Sequence, residues 1–431
     1  MYNVVAIEDF GTPAVVLVNS GFVNDARSAA SGKGLPGVRV IPETVMCEST
    51  VAENIEMGVS AVMDEIVAGL TKPLTLEERT PKKEVEKPSR IIFKGNLGEV
   101  NQFFYRRGWT DGLPIVPPTE EAVAEMLTGT DLPPEHIVTE LIPRMGKATV
   151  EKIAVNAVMA GALPTYMPIL IAAVQALMDR KARFDVFEVS TGSWAPFLVV
   201  NGPVRNEIHI NCSSGSLSPG DMANAAIGRA LGLIVKNIGG TRKAVEDMGV
   251  IGNPGKYSLV LGENEEESPW EPLHVGRGFK KEDTTVTVFF PNSFTQRIPG
   301  ESNAKGVADA LMNMGAGGMS CFIINPPNAR ILGDAGWTRE KLQKFLVENI
   351  AVPAPPPGAD ENARQARPKP GIDSIMIVVA GGPGVFMALL RSAGGNGGFN
   401  NGFVTKKVGL PENWDKLVAK YKNVVPVYAR Y

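Results

Sequence analysis

Ala14-Val15-Val16-Leu17-Val18-Asn19-Ser20-Gly21, continued through Ala26 to Ala30 and on to Val38-Arg39-Val40-Ile41-Pro42, decides the class of fold. An apolar, valine-rich run stopped by Asn-Ser-Gly reads as a strand ending in a turn, the alanine-bearing stretch after it as a helix, and the second valine-rich run as the next strand. This βαβ-type order predicts an α/β protein. Ile55, Val59, Val62, Met63, Ile66, Val67 and Leu70 then recur at helical spacing and predict one amphipathic helix with a buried face. So small a unit has little core of its own and is expected to pack on something else.

Further along, Thr71 to Ser89 turns charged and proline-punctuated, which predicts a solvated linker over residues 73–92 between a small domain at 1–72 and a large α/β domain at 93–351 of one or two lobes. Within the large domain, Ala148 to Ala160, Pro168 to Met178 and Asp221 to Ile238 read as helices, and Phe197 to Val200 and Thr284 to Phe290 as strands. A proline-rich connection over 352–370 should cross the surface as an extended segment. It leads to a C-terminal α/β segment at 371–431, which opens with the apolar run Ser374 to Ala380 stopped by Gly381 and Gly382.

Composition excludes several classes of function. The 431 residues are 44% hydrophobic and 21% charged, the balance of a globular protein. Lys+Arg of 43 against Asp+Glu of 46 leaves a net charge of −3, with no basic run to track a phosphate backbone, so no nucleic-acid partner is expected. The acids Glu8 and Asp9 stand where a signal peptide needs a basic and then an apolar region. The longest apolar stretch, Ile153 to Met178, is interrupted by Asn156, Pro164, Thr165, Pro168 and Gln175 and suits no membrane span. Three dispersed cysteines, Cys47, Cys212 and Cys321, fit a reducing cytoplasm better than a disulfide framework, and no zinc-type Cys/His spacing occurs.

Four segments carry more polar and glycine residues than packing requires. Gly108-Trp109-Thr110-Asp111-Gly112 puts a carboxylate, Asp111, at a turn before a stiff proline-rich stretch, where it serves either a ligand or its own backbone. Asn201-Gly202-Pro203 and the loop Cys212 to Gly220 precede a helix bearing Asn224 and Arg229. Small residues ahead of a helix leave N–H groups for an anion, so Asn201, Asn224 and Arg229 are candidate substrate-binding residues. The loop is neither a P-loop nor a dinucleotide fingerprint. Gly262 to His274 sets an acidic run ahead of Trp270 and His274. Glu265, Glu267 and His274 are candidate acid–base residues, with Trp270 beside the substrate, although acidic runs more often form a solvated face. The glycine-rich stretches at 315–318, 381–384 and 394–398 are the fourth. Cys321 enters an apolar run and reads as a buried, inert thiol. Cys212, among Ser and Gly before a helix, is the better candidate for a catalytic thiolate, with Cys47 after it.

Phe10-Gly11-Thr12-Pro13-Ala14-Val15-Val16-Leu17-Val18, Gly34-Leu35-Pro36-Gly37-Val38-Arg39-Val40 and the closing Leu70-Thr71-Lys72-Pro73 resemble the UGSC domain, found in bacterial selenoproteins and their cysteine homologues. The region from Gly108-Trp109-Thr110-Asp111-Gly112 through Asn224-Ala225-Ala226-Ile227-Gly228-Arg229 to Ser268–His274 is similar to the large domain often joined to it. The family is named for a selenocysteine or cysteine followed by Gly-Ser-Cys, upstream of the Gly-Thr-Pro segment, and this sequence lacks that motif. The resemblance therefore implies a separate short polypeptide bearing it, an N-terminal extension behind a codon read as stop, or a member that has lost it. In the first two cases the motif would dock on the edge of the strand Ala14–Val18 and place its nucleophile beside Asn19 and Ser20.

The function expected is that of a subunit, in an oligomer, of a thiol- or selenol-assisted enzyme, an oxidoreductase or lyase, acting on a carbon–heteroatom bond of a small polar molecule. No cofactor is named beyond a cysteine or selenocysteine from a partner segment, and no metal. The alternatives are a redox-free lyase, hydratase or isomerase using Glu and His, and a non-catalytic scaffold subunit.

Overall fold

The computed structural model describes residues 2–32, 34–45, 52–79, 90–315, 319–349, 371–392, 402–422 and 424. Cys47, the proline-rich connection at 352–370 and the glycines at 394–398 lie outside the described residues.

In the N-terminal unit β1 (Val15–Asn19) and β2 (Arg39–Glu43) pair in parallel, with Val16 opposite Val40, and the helix Val23–Gly32 runs between them in sequence, as the apolar runs predict. The core is small: Val5, Val16, Ala30 and Val38. The single amphipathic helix expected over Ile55–Leu70 is instead two, Ala52–Ala61 and Met63–Thr71, with a break at Val62. Its apolar face is not buried as expected, since Ile55 is 42%, Val67 51% and Leu70 40% exposed. A two-stranded sheet offers too little apolar surface to cover them. Arg39 closes the unit. Its guanidinium donates to the carbonyls of Gly69 (2.7 Å), Lys72 (2.6 Å) and Pro73 (3.0 Å), and its Nε lies 3.4 Å from Glu78. The expected linker from residue 73 therefore begins as the short helix Leu76–Arg79 held to this unit. Arg90 already belongs to the larger part, pairing with Glu151 at 2.7 Å.

The larger part is built on two four-stranded sheets. One has the order β12-β7-β5-β6, from β5 (Phe197–Asn201), β6 (Val260–Gly262), β7 (Thr285–Phe289) and β12 (Val404–Lys407). The other has the order β10-β9-β11-β8, from β8 (Ser293–Arg297), β9 (Ser320–Ile324), β10 (Ile375–Val379) and β11 (Met387–Arg391). A separate hairpin is formed by β3 (Ile137–Leu141) and β4 (Gly146–Thr149). Each four-stranded sheet contains one parallel pair, β5 with β6 and β9 with β10, and is otherwise antiparallel. Because side chains alternate along a strand, Phe197, Val199, Leu261 and Phe289 face Cys321, Ile323, Met376, Val378 and Leu390 across the space between the sheets. Leu198, Val200, Val286 and Val288 face outward onto the helices Val150–Met159, Met167–Leu177 and Met222–Ile234. On the far side Phe322, Ile324, Ile375, Ile377 and Leu389 pack on the helices Ala304–Asn313, Pro326–Asp334 and Arg339–Asn349. The result is an α/β protein of four layers, helices, sheet, sheet, helices. Central strands buried on both faces read as continuous apolar runs. Truncating a fully buried interlayer residue such as Phe197 should cost about 3–5 kcal/mol.

Residues 371–422 do not form a segment apart: β10 and β11 join the sheet of β9, and β12 joins that of β7. The helix expected over Asp221–Ile238 runs from Met222 to Ile234 and widens into a π turn at Val235–Gly239. There Asn237 Nδ2 donates to the Trp109 carbonyl at 3.0 Å and to Asn156 Oδ1 at 2.7 Å, tethers outside the helix that accompany the wider turn. Among the described residues no helix is long and apolar enough to cross a membrane.

Candidate acid–base site between the sheets

Val200 pairs with Gly262, so the next residues of the two parallel strands, Asn201 and Glu263, stand side by side at their carboxyl ends. Strand alternation turns both into the interlayer space, and both are fully buried. The carboxyl end of the other parallel pair arrives at the same place, where Asn264 N donates to the Val379 carbonyl at 2.7 Å and Gly381 N to the Cys212 carbonyl at 3.0 Å. Carboxyl ends of parallel strands are where open sheets leave room for ligands.

Glu263 is saturated. It accepts from Asn201 Nδ2 at 2.6 Å, from Leu273 N at 2.7 Å and from Arg339 Nη2 at 2.7 Å. Glu265 is different. Its Oε1 accepts from Gly202 N at 2.7 Å and Asn201 Nδ2 at 2.9 Å and lies 3.4 Å from Arg205 Nε, while its Oε2 takes no hydrogen bond among the described residues. His274 Nδ1 is 4.0 Å from that Oε1. His274 is fully buried, and its Nε2 faces the Lys281 carbonyl at 3.3 Å. A carbonyl only accepts, so Nε2 carries a proton; Nδ1, with no hydrogen-bond partner, is left facing the carboxylate.

Arg205 reaches this pair because the chain turns sharply after β5. Gly202 has φ 88°, and a Cβ there would lie 2.3 Å from the Asp283 carbonyl oxygen, so only glycine makes the turn into the short helix Val204–Glu207. The guanidinium is 2% exposed; it donates to Glu266 at 2.7 Å and to Asn206 at 3.0 Å. Burial works to raise the Glu266 carboxyl, but bonds from Arg205 and Asn206 outweigh it and hold it below the ordinary carboxylate value. Cys212 Sγ lies 3.9 Å from Arg205 Nη1 at the rim of the site. Burial nevertheless raises its thiol above the ordinary value, Arg205 opposing in part, so the thiolate expected there is disfavoured. Cys321 is fully buried and its thiol is pushed far up by that burial.

Of the other sequence candidates, Glu267 turns to its own loop and accepts from Asn264 Nδ2 at 2.8 Å. Trp270 donates from Nε1 to the Trp337 carbonyl at 2.7 Å and packs on the helices of the second sheet. Asn224 is not an anion ligand. It is buried, and its amide bonds Asn211 N at 2.8 Å and the Val260 carbonyl at 3.0 Å, pinning the loop to β6. Arg229 and Asp111, expected in two separate sites, neutralise each other through bonds of 2.7 and 3.0 Å, and Arg229 also holds the Pro114 carbonyl at 2.8 Å. The anion pocket expected around Asn224 and Arg229 is therefore not formed by these side chains. In the N-terminal unit Asn19 accepts from Gly21 N at 3.0 Å and donates to the Val45 carbonyl at 2.6 Å, and Ser20 opens the 3-10 turn that follows.

Sequence reasoning passed over Arg205, Glu263, Arg277 and Arg339. Glu263 was hidden at the head of an acidic run, and Arg205 stands just after a buried strand and a Gly-Pro turn, which was the available signal. Arg339 lies 76 positions from its partner Glu263 and has no local signature. Among the described residues no three His, Cys, Asp or Glu side chains converge as a metal site.

Residues 1–72 match the model of the UGSC family, so the N-terminal unit is a UGSC domain. No curated protein and no solved structure matches the chain.

Proposed function

We propose, taking residues 1–72 as a UGSC domain, that the larger part is a lyase, hydratase or isomerase that moves a proton on a small anionic substrate at the Glu265–His274 pair. The supporting observation is the buried His274 Nδ1, without a hydrogen-bond partner and 4.0 Å from a carboxylate. A substrate hydrogen between or beside these groups completes the arrangement. Glu265 accepts a proton from a carbon next to the substrate's acidic group and hands it to the bare His274 Nδ1 that faces it. His274 delivers the same proton at the second centre, so both groups end as they began, while Arg205 offsets the negative charge that develops on the substrate. Asn201 and the Gly202 N–H hold Glu265 in place.

A second reading has its own support. Cys212 borders the same site beside Arg205, and the sheet of the UGSC domain has two strands, with Leu17 of β1 38% exposed. A short segment bearing a Gly-Ser-Cys motif, from a partner polypeptide in a cytoplasmic hetero-oligomer, would cover that edge and bring a thiol or selenol.

Incubating the protein in heavy water with 2-hydroxy, 2-keto and unsaturated acids, and following deuterium uptake by NMR, tests the choice. The first reading expects exchange that falls at least roughly tenfold in His274→Gln and in Glu265→Gln and survives alkylation of Cys212. Exchange indifferent to both substitutions overturns it, and loss on alkylation alone favours the thiol reading.

A further inference from the structure

The hydrogen-bond donors near Glu263 are not all filled. Arg339 gives Nη2 to Glu263, but its Nε and Nη1 are buried without hydrogen-bond partners. Arg277, three residues after His274, donates from Nη1 to the Phe403 carbonyl at 3.2 Å, and its buried Nε has no partner either. Among the described residues Arg277 forms no ion pair. Both guanidiniums, and Glu263 with them, lie within electrostatic reach of the Cys321 thiol, so they share one region at the end of the interlayer space. Aromatic rings back both cations: Phe403 lies 5.3 Å from the Arg277 guanidinium carbon and Trp270 lies 6.0 Å from that of Arg339.

Arg339 thus shares Glu263 with Asn201 and Leu273, and Arg277 has only the more distant charge of Asp373 facing it, so both half-buried guanidiniums keep buried N–H groups unfilled. Burial, with Arg339 nearby as a like charge, pushes Arg277 down to about 10. Leaving donors of this kind empty inside a protein is costly, and native structures fill such places. Arg277 Nε and Arg339 Nε and Nη1 supply three N–H donors, a set that suits the two oxygens of a carboxylate.

We propose that Arg277 and Arg339 form an anion subsite that takes a second carboxylate of the molecule handled at Glu265 and His274, which makes the substrate a dicarboxylate. The class of substrate rests on the proton-transfer reading above; the subsite itself does not. One acidic group lies at the Arg205 end and the other at the Arg277 end, with the reacting atoms between them.

Calorimetric titration of the full chain with malonate, succinate and glutarate against propionate tests this. The best diacid is expected to bind at least tenfold tighter than propionate, and Arg277→Gln and Arg339→Gln should each erase that preference. Circular dichroism checks that the variants fold, and Arg277→Lys, which keeps the charge, should retain part of the preference in either case. A preference that survives both Gln substitutions, equal binding of monoacid and diacid, or no binding of any diacid overturns the subsite. His274→Gln should keep the preference. If deuterium exchange fails while the preference stands, the proton-transfer reading falls and the subsite remains; exchange without the preference removes the subsite alone.

Discussion

Asn201 and Glu263 stand one step beyond Val200 and Gly262, a bonded pair on adjacent parallel strands, and Asn201 Nδ2 joins them with a 2.6 Å hydrogen bond to Glu263 Oε2. The same amide nitrogen lies 2.9 Å from Glu265 Oε1. One side chain therefore holds the saturated carboxylate and the unsaturated one at once. Glu263 fixes the frame, and Glu265 is left with an oxygen to use.

Glu263→Ala should destabilise the protein by about 3–5 kcal/mol, because it strands the Arg339 guanidinium without its carboxylate. Urea unfolding measures the loss. The double variant Glu263→Ala/Arg339→Met should cost less than the sum of the two single changes, and simple additivity would show that the pair is not coupled.

Cys212 should react with iodoacetamide more slowly than a free cysteine at neutral pH. Burial raises its thiol, so the rate climbs only at a higher pH than for an unperturbed thiol. Cys321, inside β9, should be labelled only once the protein unfolds. Mass spectrometry of peptides after timed labelling reads both, and fast labelling of Cys212 at pH 7 would contradict the geometry.

Glu188 is buried, and burial, with Asp247 nearby adding to it and Lys256 opposing, raises its carboxyl to about 7. A raised folded-state value favours the protonated form, so its contribution is complete below about pH 4.5 and is lost as pH climbs through 7. Glu188→Gln should remove that loss. Between pH 4.5 and pH 8 the wild type should lose on the order of 3 kcal/mol relative to the variant in parallel urea titrations. Parallel stability curves would mean that Glu188 is already charged in the fold.

Much of the local structure is legible in the chain. Ala14–Val18 and Val38–Pro42 announce two strands because each valine-rich run ends at a turn residue, and Phe197–Val200 announces a doubly buried one. The pairing of two sheets is not legible, since β10 joins β9 across a stretch of some fifty residues, and β12 returns to β7 from further still. Apolar periodicity carries no address for such partners. In the site, Asn201 could be singled out from the small-residue stretch ahead of a helix, and Glu265 and His274 from an acidic run that leads to one of only three histidines. Asn224 and Arg229 illustrate the converse. Small residues before a helix suit an anion and also suit a loop pinned by an amide, and the carboxylate that meets Arg229 is Asp111, 118 positions away.

The bond from Asn264 N to the Val379 carbonyl has a mechanical meaning. It is a peg between two plates, set beside the Glu263–Arg339 bond and the facing apolar side chains Phe197, Phe289, Cys321 and Met376. Glu265 rides on one plate, while Arg339 leads the helix that packs on the other. A slip of one plate over the other would open the gap between them without altering either residue. The fit of the reacting groups is therefore gauged by apolar packing well away from them, and a methylene lost from that seam is felt as misalignment at its end.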